Sequence, residues 1–379
     1  MKKDWEIKKL GEVCEFLDSR RKPITANKRI KGQIPYYGAT GILDYVADFL
    51  FDEELILLGE DGAKWGPGDK SAFYISGKTW VNNHAHVLKT SNNNYDWIIY
   101  YLNYSDLTKF VKGATVPKLN QEKARNIPIP VPPLEEQKRM VKILDEKFAH
   151  LETIKANAQT NLQNAKDLFQ SQLTKAFSNT TWKKKKMGDI FEMVRGPFGG
   201  ALKKECFKPS GYPVYEQQCA IHSNYNFRYF IDSTKYKEMI RFSVGPGDFV
   251  MSCSGVTMAK VSRVPEGTEQ GIINQALLKL TPRENINADY MLYYLSASFF
   301  RDILMKDSKG AAIPNMPAVK ILKEIEFNLP PLPEQKRIVE ELDTLSQKVR
   351  QLQEIYTKQI ANCDELKQSL LQKAFEGEL

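Results

Sequence analysis

The chain has 379 residues, 42% of them hydrophobic and 26% charged, with a net charge of +8. That is the balance of a folded protein with room for two or three domains, not of a disordered polyelectrolyte. No apolar run approaches the roughly 18–20 residues of a membrane span, and no apolar stretch follows the basic start at Met1-Lys2-Lys3, so neither a membrane anchor nor a secretory signal is expected.

The first segment, 1–131, is rich in Gly, Pro and aromatics. Apolar runs such as Leu55-Ile56-Leu57-Leu58, bounded by Gly, Asp and Pro, predict strands and turns, and a helix is expected near Tyr95–Tyr104. Arg20, Arg21 and Lys22 follow the first strand-like run. A glycine-rich turn, Gly59 to Gly66, carries Lys64 and Trp65. Lys118 follows Gly113-Ala114-Thr115-Val116-Pro117. His84 and His86 would share one face of a strand. With no further His or Cys close by, they read as a polar face or a partner contact, not a metal site.

Segment 132–179 opens with Pro132-Pro133-Leu134-Glu135-Glu136-Gln137-Lys138-Arg139 and predicts one long helix without internal glycine. The prolines fall at the first turn, where a missing N–H costs nothing, and the glutamates favour the positive end of the helix dipole. Asp145-Glu146-Lys147 resembles a nuclease fragment, but on a helix it reads as a solvated face.

Segment 180–329 repeats the first in weaker form. Trp182 to Ile190 echoes Trp5 to Val13, Asp289 to Leu295 echoes Asp96 to Leu102, and Gly310-Ala311-Ala312-Ile313-Pro314 echoes 113–117. Phe249-Val250-Met251 predicts a strand and Asp289–Phe300 a helix. Lys203 and Lys204 end a glycine-containing loop that begins at Gly196. It has neither the order nor the Ser/Thr of a nucleotide-binding loop and suits approach to a phosphate backbone. Ser254 and Lys260 lie in a second loop, 252–260, and Asn315 follows the Gly310 run.

Segment 330–379 repeats the first helix: 132–177 and 330–375 align without a gap and share 18 of 46 residues. A seven-residue seam runs through Leu342, Leu345, Val349, Leu352, Gln359 and Leu366. In the same phase the first helix shows Leu144, Leu151, Ile154, Asn161 and Leu168. Such spacing predicts helices paired along their length, with Asn161 and Gln359 as a polar layer that fixes register. Leu345 faces Lys147 in the other copy, so the two helices are not strictly equivalent.

The helical segments 134–177 and 332–379 carry +1 and −2, leaving +9 for the rest of the chain. A basic excess in the globular segments suits a polyanion. Five scattered cysteines predict free thiols in a reducing compartment. No phosphate loop, dinucleotide fingerprint, Ser-His-Asp set or Asn-Pro-Pro-aromatic methyltransferase signature is found, so the chain is expected to catalyse nothing itself.

The duplicated Pro-Pro-Leu-x-Glu-Gln-Lys-Arg blocks, the Gln-Lys-Ala-Phe type of ending, the two Gly-Ala-x-x-Pro runs, Asn126-Ile127-Pro128-Ile129-Pro130 and Pro197-Phe198-Gly199 resemble the specificity subunit of type I restriction–modification systems. The resemblance implies two α/β target recognition domains (1–131 and 180–329) and two conserved helices (132–179 and 330–379). The helices would form an antiparallel coiled coil that acts as a ruler, in a pseudo-two-fold repeat. Each domain would read one half of a bipartite, asymmetric double-stranded DNA target. Arg20, Arg21, Lys22, Lys64, Lys118, Lys203, Lys204, Ser254, Lys260 and Asn315 are the candidate DNA contacts. Two modification subunits would supply S-adenosylmethionine and adenine methylation, a restriction subunit would use ATP and Mg, and all would work in the cytoplasm. Three other readings stand beside it. One is the DNA-recognition subunit of another defence system, another a coiled-coil scaffold for two protein-binding domains, and the last an enzyme with an unrecognised site.

Overall fold

The computed structural model describes residues 5–113, 115, 117–179, 181–198, 200–283, 286–305 and 315–379. Ala114, Val116, Thr180, Gly199 and the Gly310–Pro314 echo lie outside them. The chain divides into two compact units, Met1–Thr160 with Tyr356–Leu379, and Asn161–Ile355.

In the first unit the order is β1 (Glu6–Lys9), α1 (Leu10–Val13), β2 (Glu15–Phe16), β3 (Lys31–Gly38), β4 (Gly41–Val46), β5 (Phe51–Asp52), β6 (Leu55–Gly59), β7 (Ala72–Ile75), β8 (Lys78–Val81) and β9 (Ala85–Lys89). Then come α2 (Tyr95–Tyr104), α3 (Gln121–Arg125), β10 (Pro128–Val131) and the long α4 (Leu134–Phe177). One sheet has the order β2-β9-β6-β7; another runs β4-β3-β8-β5; β1 pairs with β10. Among the described residues of this unit, only β3 and β8 run parallel. The apolar run in β6 is continuous because both its faces are covered. Ile56 and Leu58 pack under the helices, beside Trp97, Met140, Leu144 and Phe375. Leu55 and Leu57 point the other way, onto Phe51, Val81 and Val87.

The second unit comprises β11 (Lys183–Lys186), α5 (Met187–Ile190), β12 (Phe191–Arg195), β13 (Tyr212–Tyr215), α6 (Gln217–His222), β14 (Phe230–Ile231), α7 (Ser233–Glu238), β15 (Ser243–Val244), β16 (Phe249–Ser252), β17 (Val261–Arg263), β18 (Gly271–Ile273) and β19 (Leu277–Pro282). It continues with α8 (Ala288–Ser296), α9 (Ser298–Met305), α10 (Val319–Glu324), β20 (Glu326–Leu329) and the long α11 (Leu332–Glu376). Its sheets have the orders β12-β19-β16-β17 and β14-β13-β18-β15, with β11 on β20 and, among the described residues, only β13 and β18 parallel. This is the topology of the first unit, strand for strand. The second unit adds α6 and α7, which shift the sequence echoes from an offset of 177 to one of 193, and α9, which lies where the offset moves on to 197.

Each unit contains the start of one long helix and the end of the other. In the first unit they pair antiparallel: Lys155 reaches Asp364 (2.6 Å) and Glu152 reaches Lys367 (3.2 Å), so three residues up α4 match three down α11. In the second, Leu173 and Phe177 of α4 share a core with Ile338, Val339 and Leu342 of α11. The expected seam is only half buried. Leu144, Leu151, Ala158 and Ala165 on α4, and Leu342, Val349 and Cys363 on α11, are buried at multiples of seven residues, with Tyr356 between the last two half-buried. The intervening seam positions are not: Ile154, Leu168, Leu352 and Leu366 are 37–49% exposed. Asn161 and Gln359 are also exposed, so the inward polar layer expected there is absent. The small Ala158, Ala165 and Cys363 offer too little apolar surface to close a two-position seam.

The buried Gln of the repeated block explains its presence in both copies. Gln137 Nε2 donates to the Pro132 carbonyl (2.8 Å) and Gln335 Nε2 to that of Pro330 (2.9 Å). Their Oε1 atoms accept the N–H of Asn94 and Asn287, the caps of α2 and α8. The terminal Phe is equally structural. Phe375 packs on Trp97, Tyr101 and Tyr104, and Phe177 on Tyr290, Tyr294 and Phe299. Asp145 accepts a hydrogen bond from Tyr100, as Asp343 does from Tyr293, so the nuclease-like fragment holds a helix in place.

Candidate nucleic-acid interface

In each unit the loops gather where the parallel strands end. Asn82 follows β8, and its N–H meets the Tyr37 carbonyl at the end of β3 (3.1 Å). The Gly59–Gly66 loop joins there: Glu60 N–H donates to the His84 carbonyl (2.9 Å). Lys118 is bridged to Asp61, and Leu119 N–H donates to the Glu60 carbonyl (2.8 Å). The second unit repeats this frame. Asn274 N–H meets the Tyr215 carbonyl (3.0 Å), Cys253 N–H meets that of Ala276 (2.9 Å), and Asn315 is bridged to Ser254. Lys118 and Asn315 therefore hold matching places, as do Glu60 and Cys253.

The furnishing of the two ends differs. The first is a charged cluster. Arg21 Nη1 donates to Glu60 (2.6 Å) and to the Ala85 carbonyl (2.7 Å), with Asp18 at 3.3 Å from Nη2. His86, fully buried, meets Asp18 through Nδ1 (2.7 Å) and the Leu119 carbonyl through Nε2 (2.7 Å). Lys118 closes on Glu60 at 2.9 Å. Burial pushes the Glu60 carboxyl up, but hydrogen bonds from Arg21 and Lys118 outweigh it and leave it below the ordinary range. Asp18 is likewise lowered: burial opposes ionisation, while His86, the Val87 N–H and Arg21 favour it. Asp18, Glu60 and His86 have ligand atoms within 4.8 Å of one another. A divalent cation there would have to displace Arg21 and Lys118 from the same carboxylates, so the donor set fits an internal ion network better than a metal site. His84 is exposed and pairs with Asp61.

In the second unit the strand registers place Arg195 where the first has Asp18, and Leu278 where it has His86. Arg195 donates to the Met316 carbonyl (3.1 Å) and to Asn315 Oδ1 (2.8 Å). Arg195 thus serves the carbonyl that corresponds to the one His86 serves. Gln217 of α6 braces the neighbouring loop through Ser252 Oγ (2.6 Å) and the Ser254 carbonyl (3.1 Å).

The candidate contacts sort accordingly. Lys22, Lys64, Lys203, Lys204 and Lys260 are exposed and make no ion pair among the described residues. Arg20 lies over the Phe51 ring and pairs with Glu53 (2.8 Å). The Arg21 side chain is only 12% exposed and is committed to Asp18 and Glu60, so it shapes the end of the unit instead of presenting a charge. Lys118 is half committed to Glu60. Ser254 and Asn315 meet across the bridge described above. Sequence reasoning missed Asp18, Glu60 and Arg195, because strand register alone brings them to the loops.

These features define a class: a duplicated α/β protein with two loop-bearing ends of matching frame and different chemistry, each packed on paired helices. Residues 2–163 and 179–360 match the family described as type I restriction modification DNA specificity domain, and the chain belongs to that family. Among curated proteins it is 28% identical over 355 residues (89% of this chain, 86% of the relative) to S.HindORF215P of Haemophilus influenzae, provisionally named a type I restriction enzyme specificity subunit. It is 23% identical to the MjaVIII specificity subunit of Methanocaldococcus jannaschii, over 99% of this chain and 93% of that one. The fold matches a chain from a study of complex assembly and conformational transition of the type I R-M system (TM-score 0.77, 19% identity, 99% and 98% covered). It also matches the HsdS subunit from Thermoanaerobacter tengcongensis (TM-score 0.59, 20% identity, 100% and 98% covered). No described helix is long and apolar enough to cross a membrane.

Proposed function

We propose that this chain is the DNA-sequence recognition subunit of a type I restriction–modification complex. Each unit reads one half of a bipartite target, and the halves differ. The observation that carries this reading is the pair of ends with one frame and two furnishings: Asp18, Glu60, His86 and Lys118 in one, Arg195, Cys253, Leu278 and Asn315 in the other. A common frame suits a common ligand, the duplex, and unlike side chains suit unlike base sequences. The exposed lysines supply phosphate contacts that position without specifying.

The long helices bind two methyltransferase subunits in this account. Ile154, Leu168, Leu352, Ile355 and Leu366 leave apolar surface on them, 37–58% exposed, which a partner would cover. The helices also set the length of the unread gap. The partners hold S-adenosylmethionine and perform adenine methylation; a restriction subunit adds ATP and Mg. The chain itself binds and does not catalyse, and it works in the cytoplasm. Methylome sequencing of a host with and without this gene tests the reading. A gapped, two-part motif that vanishes with the gene supports it, and an unchanged methylome refutes it.

A further inference from the structure

The loop after the second parallel strand is built alike in both units. Val81-Asn82-Asn83-His84 matches Ile273-Asn274-Gln275-Ala276. Asn82 Oδ1 accepts the His84 N–H (2.8 Å), and Asn274 Oδ1 accepts that of Ala276 (3.0 Å). Each asparagine thus closes a turn on its own backbone and projects the residue between, Asn83 or Gln275. Both are exposed, and neither side-chain amide has a hydrogen-bond partner among the described residues.

The backbone beneath each amide is fixed by other means as well. Arg21 Nη1 approaches the Asn83 carbonyl (3.5 Å). In the second unit Gly196 lies so close that a Cβ there would stand 1.8 Å from the Asn274 carbonyl oxygen and 3.1 Å from Gln275 Cα. Only glycine permits that approach. Cations with no ion pair among the described residues flank both loops. Lys22 N–H donates to the carbonyl of Val81 (3.3 Å), next to Asn82. Gln275 lines a groove with Phe198, Gly200 and Leu202, just ahead of Lys203 and Lys204.

Around these loops the two units have diverged: Glu60 against Cys253, His86 against Leu278, Lys118 against Asn315. The projecting amide is kept. A side chain kept while its surroundings change contacts something the two half-sites share. A carboxamide offers one donor and one acceptor side by side. In the major groove that pair matches adenine, whose N6 donates and N7 accepts. We infer that Asn83 and Gln275 each read an adenine, one in each half of the target. The inference rests on the DNA-recognition reading above and deepens it.

The test uses the full chain in complex with its methyltransferase subunits and duplexes bearing the target defined by methylome sequencing. Adenines are replaced one at a time by 7-deazaadenine, which lacks the N7 acceptor. With the unaltered chain, one replacement in each half should weaken binding at least about 5-fold and at most about 150-fold, the ceiling being a whole bidentate base contact of roughly 1–3 kcal/mol. Asn83→Ala should weaken binding similarly and make the complex indifferent to the replacement in the first half only. Gln275→Ala should do the same in the second half. Losses that simply add would overturn the inference, as would a uniform weakening on every sequence, the mark of a phosphate contact. If the unaltered complex shows no sequence preference at all, the recognition reading itself fails. Thermal unfolding of both variants, expected unchanged because the side chains are exposed, separates these results from misfolding.

Discussion

Gln137 Oε1 accepts the backbone N–H of Asn94 at 2.9 Å, so a residue in the first turn of the long helix also fixes the cap of α2. Gln335 repeats the contact with Asn287. Both glutamines are 1% exposed. Replacement by alanine strands a buried carbonyl, worth roughly 1–3 kcal/mol when unpaired, and a half-buried N–H that costs less. Gln137→Ala and Gln335→Ala should each lower the denaturant midpoint, by a shift that corresponds to an unfolding free energy lost in that range or above it. A midpoint unchanged in both variants would show that the pairing is incidental.

Acid should strike the first unit through Asp18 and Glu60. Both carboxyls sit below their ordinary range in the folded state. A group of lowered pKa binds fewer protons folded than unfolded, so its stabilisation is complete above the unfolded value of about 4 and is lost as pH falls through the folded one. Four of the five tryptophans, Trp5, Trp65, Trp80 and Trp97, lie in this unit, so tryptophan fluorescence reports its unfolding. Glu60→Gln should lower stability at pH 7, because Arg21 and Lys118 lose their partner, and should flatten the slope of stability against pH below about 4.5. An unaltered slope would contradict the ion-network account.

Binding should depend steeply on salt through Lys22, Lys64, Lys203, Lys204 and Lys260. Each lysine on a phosphate contributes about 0.9 to the slope of log affinity against log salt. Lys203→Gln with Lys204→Gln should reduce that slope by up to about 2 and weaken all sequences alike. A loss confined to certain sequences would make these lysines base readers instead.

Much of the fold was legible in the sequence, and for definable reasons. The helix at Tyr95–Tyr104 and the strands at Leu55 and Phe249 follow from local apolar runs and turn residues, and the duplicated helix blocks announce the repeat. The seam was half legible. Heptad spacing marks positions able to face a partner, but burial also needs bulk, and Ala158, Ala165 and Cys363 do not supply it. The site was least legible. Arg21 reads as a surface cation until the register brings Asp18 and Glu60 beside it. Lys118 and Asn315 are 197 residues apart, and only the bridges to Asp61 and Ser254 reveal them as equivalent. The Asn82 and Asn274 turns went unread in the sequence, because the match is four residues long and insertions such as α6 and α7 shift its spacing.

The division of labour between the two units is tested most directly by exchanging residues 1–131 for the matching segment of a relative with a different target, then sequencing the methylome of a host that expresses the chimera with its methyltransferase. One half of the two-part motif should change to the donor's, with the other half retained. A chimera that folds and methylates but alters both halves, or neither, would contradict the account.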